Sequence, residues 1–496
     1  MDYHQRAAYK LNVAMDKIIG FAPDADPTTV GVLTSVTNVI PYEQGIKGAP
    51  TGATPSGVPA LAAACSGAAV VTKLDGTRRI FAGSLTKLYE LSGGSWSDVS
   101  SGSYTGGADN RWAITQFGNS TIASNLADTI QRSSGASFSA ISGAPKAKIV
   151  FTVGTQVMAL NINDGTTKPD GWYCCATYDE TNWTTSVATL CAKGQVVSTA
   201  GQFTAGGRLG DYAIGYKEKA IYIGQFVGAP TVWDWVQAAG GEAGCIGQDA
   251  WCDIGGAHFL VGTDNFWIFD GSRPVPVGDD AVRVWFYANS NPNYRYRTQC
   301  VNDRQNNVVW IFYCSTTSST PDKALVYHMK TKMWGHVNVA VEAALNYVSA
   351  GVSIDSLPTY SATIDGLSSF SFDSQFWLFG GRSLAAFNLS HQLQSLTGVS
   401  STSSITTGYV GDDDTVTIAN KIRLRFAPGY KPTSANIQTF TTMELGASPS
   451  ASSTASMNDG RFDVLDSSRW HSKTISFTGD YRLIGMSTNL IPSGIV

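Results

Sequence analysis

The sequence predicts an all-β protein: an irregular six- or seven-bladed β-propeller, with an extended arm before it and a β-sandwich domain after it. Three observations carry this. Charged residues make up only 15% of the 496 residues, against about 25% in a typical soluble domain, while glycine contributes 51 residues and aromatics 11%. A strand–glycine–turn–strand element recurs through the middle of the chain. Beyond Ser390 that element stops, and Ser/Thr-rich alternating strands replace it. With 43% hydrophobic residues the chain has enough apolar side chains for a large core.

The repeat begins with Ile80-Phe81-Ala82-Gly83, leading to Leu88-Tyr89-Glu90-Leu91 and Trp96. Related copies centre on Ala113–Gly118, Ile149–Gly154, Tyr212–Gly215, His258–Gly262 and Val308–Phe312, each followed by a second apolar strand. A seventh, weaker copy is Phe376–Gly380 with Leu384–Phe387. Gly83, Gly118 and Gly154 are spaced by 35 and 36 residues, and later spacings stretch. A unit of roughly 40 residues matches the period of a four-stranded propeller blade. One such sheet cannot bury both faces alone; radial stacking buries them, and ring closure hides the edges. The aromatic residue after each second strand suits the wedge between blades.

This divides the chain into residues 1–60 (helix and arm), 61–396 (propeller) and 397–496 (sandwich-like domain). In the first part, Ala7, Leu11, Ala14, Met15 and Ile18 fall at helical spacing over about Gln5–Ile19. The stretch Thr28–Pro59 is punctuated by Pro41, Pro50 and Pro55 and reads as extended. In the last part, Ile422, Leu424 and Phe426 alternate with Arg423 and Arg425, the pattern of a half-buried strand. Ile437–Leu445, Lys473–Phe477 and Tyr481–Met486 read as its partners, and the low-complexity tract Gly446–Ser456 as a mobile loop.

A balance of 34 Lys+Arg against 38 Asp+Glu gives a net charge of −4, which argues against a protein that grips nucleic acid by phosphate neutralisation. No apolar run approaches the ~18 residues that span a bilayer, and Asp2, Arg6, Lys10, Asp16 and Lys17 break any signal-peptide pattern. The eight cysteines include no CxxC and read as reduced, mostly buried thiols. No cofactor, metal or catalytic residue is assigned. The six histidines lack metal-ligand spacing, although His328 and His336 flank a hairpin. Asp412-Asp413-Asp414 reads as a solvated turn, and Ser95-Trp96-Ser97-Asp98, a poor match to a sialidase Asp-box, as a turn between blade strands. Tyr294-Arg295-Tyr296-Arg297 is the best basic–aromatic cluster: on a strand its arginines share one face and its tyrosines the other.

Two stretches carry a family resemblance. One is Asp26-Pro27-Thr28-Thr29 with Asn38-Val39-Ile40-Pro41-Tyr42-Glu43-Gln44-Gly45-Ile46-Lys47-Gly48-Ala49-Pro50. The other is the degenerate blade array typified by Arg79–Gly83 and Asp264–Gly271. Together they resemble the tail hub or nozzle proteins of short-tailed bacteriophages, a group described as stabilising packaged DNA. The resemblance implies a non-enzymatic structural protein of the virion tail, made in the bacterial host cytoplasm. It implies a homo-oligomeric ring, with six subunits expected, below the portal and adaptor (connector) proteins. Such a ring lines the exit channel for passing DNA, bears tail fibres or spikes, and inserts in no membrane. Asp26, Pro27, Pro41, Tyr42, Glu43, Lys47 and Pro50 are then the expected inter-subunit arm, and Arg295 and Arg297 the candidate channel-facing, DNA-facing residues. Removing the arm should block assembly but leave a folded propeller, unless the arm completes a blade. The competing reading is a propeller that binds or cleaves surface glycans, with Trp172-Tyr173 and Trp233–Trp235 as stacking platforms; filling of the blade gaps is the plainer role for those rings.

Overall fold

The computed structural model describes residues 16–495, apart from 56–57, 93, 241, 349–362 and 364–381. Six separate four-stranded sheets and a seventh four-stranded unit within a larger sheet surround one axis. Blade 1 holds Gly67–Thr72, Arg78–Gly83, Leu88–Ser92 and Ser95–Asp98; blade 2 runs from Ala113 to Ala140, blade 3 from Lys146 to Gln195, and blade 4 from Ala205 to Gln237. Blade 5 spans Trp251–Val277 and blade 6 Gln299–Asn338. Blade 7 combines Ala343–Val348, Arg382–Phe387 and Leu393–Gly398 with a strand from the arm. Its first strand packs on the first strand of blade 1, which closes the ring. The recurring apolar segments of the sequence are mainly the second and third strands of these blades. Within the seventh copy, Phe376–Gly380 lies outside the described residues, and Leu384–Phe387 is a buried strand.

Aromatic rings fill the gaps between blades. Between blades 1 and 2, Phe81 meets Phe138 at 5.3 Å and Tyr104 meets Trp112 at 4.9 Å between centroids. Between blades 3 and 4, Trp172 and Trp233 are buried, and the Trp233 indole donates to Gln156 Oε1 at 2.8 Å. Blades 4 and 5 approach so closely that a side chain on Gly207 would run into the Trp251 ring.

The arm contributes six strands: β1 (Asp16–Lys17), β2 (Gly20–Phe21), β3 (Val32–Thr37), β4 (Val39–Tyr42), β5 (Gly45–Gly48) and β6 (Thr51–Ala53). Their partners lie far away in sequence. β3 pairs with Thr402–Thr407 of the C-terminal domain, and β6 is the outer strand of blade 7, beside Leu393–Gly398. β4 joins the outer strand of blade 6 where Val39 faces His336, and β5 pairs with Arg482–Ile495. The result is a ten-stranded sheet that begins as blade 6, passes through the arm hairpin and ends in the C-terminal domain. At the crossing a side chain on Gly45 would strike the Leu483 carbonyl, so only glycine admits the two backbones.

The C-terminal half-sandwich of that sheet (Thr415–Phe426, Arg461–Ser468 and Arg482–Ile495) faces a seven-stranded sheet built from β2, β3, Thr402–Thr407, Val410–Gly411, Trp470–Thr478, Ser434–Thr442 and Ser450–Ser456. Ile422, Leu424, Ile437, Ile475 and Phe477 meet between the sheets, in the same cluster as Phe259, Phe266 and Trp334 of the propeller. The core therefore does not stop at the boundary between the two parts.

Several local expectations need correction. Ser95–Asp98 is not a turn but the outer strand of blade 1. Gly446–Ser456 is not all loop: Ser450–Ser456 is an edge strand, because Asp466 accepts hydrogen bonds from Ser452, Ser453 and Thr439 that fix the small polar side chains. Of the expected partners of Thr415–Phe426, only the Tyr481–Met486 region pairs with it; Ser434–Thr442 and Trp470–Thr478 belong to the facing sheet. The helix expected over Gln5–Ile19 lies outside the described residues up to position 15, and beyond it Asp16–Lys17 is a strand, since β1 finds a ladder partner in Met486 and Gly485.

The α-helix among the described residues is instead Arg283–Asn289, rich in residues that favour strands. Tertiary contacts override that propensity. The Asp24 carboxylate of the arm accepts the Val284 N–H at 2.6 Å and the Trp285 N–H at 2.9 Å, while Phe21 packs edge-on against Trp285 at 5.0 Å. Asp24 thus serves as a cap supplied from a distance. Asp24→Ala is expected to cost about 1–2 kcal/mol in urea-induced unfolding, with Asp24→Asn recovering most of it. An unchanged midpoint in the alanine variant would refute the cap.

Candidate functional site

Propeller geometry brings the segments leading into each blade's first strand to one mouth of the axis. Ser66, Arg111, Gln248, Arg297 and Glu342 all sit just ahead of such strands, and Lys148 lies within the first strand of blade 3. Together with apolar residues they line a cavity of about 250 Å³. A second cavity of about 190 Å³, lined by first-strand residues such as Gly67, Trp251 and Val301, shares Arg111 and Gln299 with it.

Two ion pairs and a Glu342–His391 hydrogen bond structure the first cavity. Arg111 of blade 2 reaches across to Asp249 at the entry to blade 5, and also donates to the Glu342 carbonyl at 3.2 Å. Arg297 binds Asp109 at 2.6 Å, with the Tyr296 hydroxyl donating to the same oxygen at 2.8 Å. Burial opposes the Asp109 carboxylate, but the hydrogen bonds from Arg297 and Tyr296 outweigh it and hold its pKa below the usual range. Glu342 accepts the Cys65 N–H at 2.8 Å and faces His391 Nδ1 at 2.7 Å. Gln299 donates to the Glu342 carbonyl at 3.0 Å and accepts from Ala344 N–H at 2.9 Å. The Arg111–Asp249 bridge ties blade 2 to blade 5 across the ring, in the wall of the second cavity.

Cys65 also lines the cavity. Burial pushes its thiol up to about 12, which keeps it protonated and non-nucleophilic at neutral pH. Burial lowers the Lys148 ammonium, and the surrounding charges, Asp249 foremost, only partly oppose that. The arrangement offers fixed charges and hydrogen-bonding groups around the cavity. Among the described residues no group of three or more His, Cys, Asp or Glu is placed to hold a metal ion, and no helix is long and apolar enough to cross a membrane.

The sequence-predicted residues fall in varied places. Tyr294–Arg297 is not a strand: Arg295–Arg297 forms a 3-10 turn after the short helix, because Arg295 donates to the Tyr287 carbonyl at 3.0 Å and to Ser290 Oγ at 2.9 Å. Arg295 lies over the Tyr287 ring and Arg297 over Tyr294, so arginines and tyrosines stack instead of dividing between two faces. Arg297 does reach the axial cavity; Arg295 does not line it.

The arm residues mostly have partners inside their own chain. Asp26 closes a turn by accepting from Thr28 N at 2.8 Å, and the Pro27 carbonyl accepts the Tyr409 N–H at 2.7 Å. Pro41 and Tyr42 lie in β4 opposite Ile46 and Gly45, and Glu43 pairs with Lys330 at 3.0 Å on the surface. Lys47 donates to Asn306 Oδ1 at 2.9 Å, and Pro50 lines a shallow cleft beside it. Asp26, Pro27 and Glu43 are exposed.

His328 and His336 keep separate partners. Thr331 N–H donates to His328 Nδ1 at 3.1 Å, whereas His336 meets the Tyr313 hydroxyl at 3.2 Å, and burial lowers its imidazole to about 4. Trp172 and Trp233 are 6% and 3% exposed, which places both rings in a blade gap and away from any sugar. The eight cysteines are buried and unpaired. Arg297 apart, the pocket residues escaped sequence reasoning. Their one signal is positional: Arg111, Asp249 and Glu342 are charged residues just ahead of an apolar strand, where a blade turns inward.

No family model matches the sequence, and no curated protein sequence matches it. Among solved structures, one described as "YCF48 bound to D1 peptide" is similar at 13% identity and a TM-score of 0.33, covering 60% of this chain and 86% of that one.

Proposed function

We propose that this chain is a ring-forming structural subunit of the tail hub or nozzle of a short-tailed bacteriophage, and that it works without catalysis. It would sit in the virion tail beneath the portal and adaptor, with the ring, of six subunits, enclosing the DNA exit channel and offering sites for fibres or spikes. The observation that carries this reading is the ten-stranded sheet running from blade 6 through the arm into the C-terminal sheets. A subunit that withstands the pressure of packaged DNA needs lobes joined without a hinge, and backbone pairing across the junction supplies that. Since the Arg111–Asp249 bridge spans the ring of blades, the DNA path in this reading is the lumen between subunits. A mildly acidic, charge-poor chain lets DNA slide past without retention. Exposed apolar residues such as Leu74 (80%), Tyr178 (78%) and Leu465 (76%) are offered for contacts between subunits, with Asp26, Pro27 and Glu43 as the arm's exposed contribution. Native mass spectrometry of the full chain, alone and mixed with a portal–adaptor complex, tests it. A ring or a portal-bound assembly is the expected species; a monomer under both conditions would reject the proposal.

A further inference from the structure

The axial cavity contains two polar groups that its own contacts leave unmatched. Arg111, Arg297 and Glu342 are occupied by Asp249, Asp109 and His391. Lys148, half-buried on the first strand of blade 3, has no acidic partner within 4.0 Å among the described residues. The second group is Gln248, 9% exposed. Its amide nitrogen donates to the Arg111 carbonyl at 3.2 Å, which fixes the amide's orientation, yet its Oε1 is buried without a partner. A half-buried ammonium without a direct ion-pair partner and a buried acceptor without a donor each favour a ligand that supplies the missing group. The rest of the wall, including Leu85, Pro321, Val341 and Leu389, is apolar.

We propose that this cavity binds a small organic carboxylate that also carries an amide N–H or hydroxyl on an apolar body. The carboxylate would pair with Lys148, the N–H or O–H would donate to Gln248 Oε1, and the body would lie against the aliphatic wall. A cavity of about 250 Å³ exceeds the ~150 Å³ that accommodates benzene, so about a dozen non-hydrogen atoms fit. The site belongs to a single chain and is independent of ring formation.

Calorimetric titration of the full chain with N-acetyl-L-leucine, and in parallel with N-acetyl-L-leucinamide, tests the proposal. The acid should bind saturably and at least about tenfold more tightly than the amide, since hydrogen bonds to charged groups exceed neutral ones by that order. Lys148→Met should abolish the preference for the acid, and Gln248→Leu should weaken the acid about tenfold while keeping some preference. Equal binding of acid and amide by the wild-type protein, or no binding of either at millimolar concentration, would overturn it. Because acid and amide are compared on the unaltered protein, the result stands even where a variant fails to fold.

Discussion

A chain lacking residues 1–54 is expected to lose its cooperative fold, not to persist as a trimmed propeller. The truncation removes the outer strand of blade 7 and exposes the edge of Leu393–Gly398. It also removes β4 and β5, the strands that join blade 6 to the C-terminal sheet. Ile18, Phe21, Leu33, Val39, Ile40 and Ile46, all at most 2% exposed, would leave voids. At about 1.5–3 kcal/mol for each buried aliphatic or aromatic side chain, the loss is on the order of ten kcal/mol, comparable to the entire net stability of a typical protein. Circular-dichroism melting and limited proteolysis read the outcome. A truncated chain with a sharp transition and a protected propeller core would contradict this account and restore the arm to a peripheral role.

The second large effect concerns Lys473. It is 4% exposed between the two C-terminal sheets, and its ammonium donates to Thr488 Oγ1 of the facing sheet. Burial lowers its pKa to about 8, against 10.5 for a solvated lysine, with Asp16 of β1 acting in the opposite direction. The folded state therefore disfavours the protonated form. Below pH 8 both folded and unfolded chains carry the proton, and the fold bears the full penalty. Between pH 8 and 10.5 the folded chain releases it first, so this lysine's contribution to stability rises with pH. At ~1.4 kcal/mol per pKa unit the rise is about 3 kcal/mol. Lys473→Met should be more stable than the parent near pH 7 by about 1–3 kcal/mol, with the difference closing by pH 10. Buried tyrosines such as Tyr481 titrate alike in both proteins and cancel. Urea unfolding midpoints at pH 7, 8.5 and 10 provide the test, and parallel pH profiles for parent and variant would exclude a buried cation.

The blades were legible because each carries local information. Phe81, Ile149–Phe151 and Val308–Phe312 sit in apolar runs bounded by turns, and their pairing partners follow within a few residues. The arm was not legible as part of the sheets, since Ile46 pairs with Leu483 and Gly52 with Leu396, and nothing in a Pro- and Gly-punctuated segment names partners so distant. The short helix misled for a related reason: Val284, Trp285, Phe286 and Tyr287 are strand formers, and the carboxylate that caps them sits in the arm at Asp24. The pocket was hidden by dispersion. Only Arg297 stood out, through its basic–aromatic cluster; Lys148, Gln248 and Glu342 come from three other blades, and each is an ordinary polar residue until ring closure sets them around one axis.

The pairing of β5 with Leu483 also has a consequence in time. A ribosome makes Ile46 several hundred residues before Leu483, so at ~5–20 residues per second the hairpin waits roughly twenty to ninety seconds for its partner strand. Blades 1 to 6 pair their own strands and can form as they emerge, but β5 and the C-terminal sheet are joined only once Arg482–Ile495 has been made. Translation that stops before that strand leaves β5 and Thr415–Phe426 with unpaired edges, the kind of exposed edge that invites pairing with other chains.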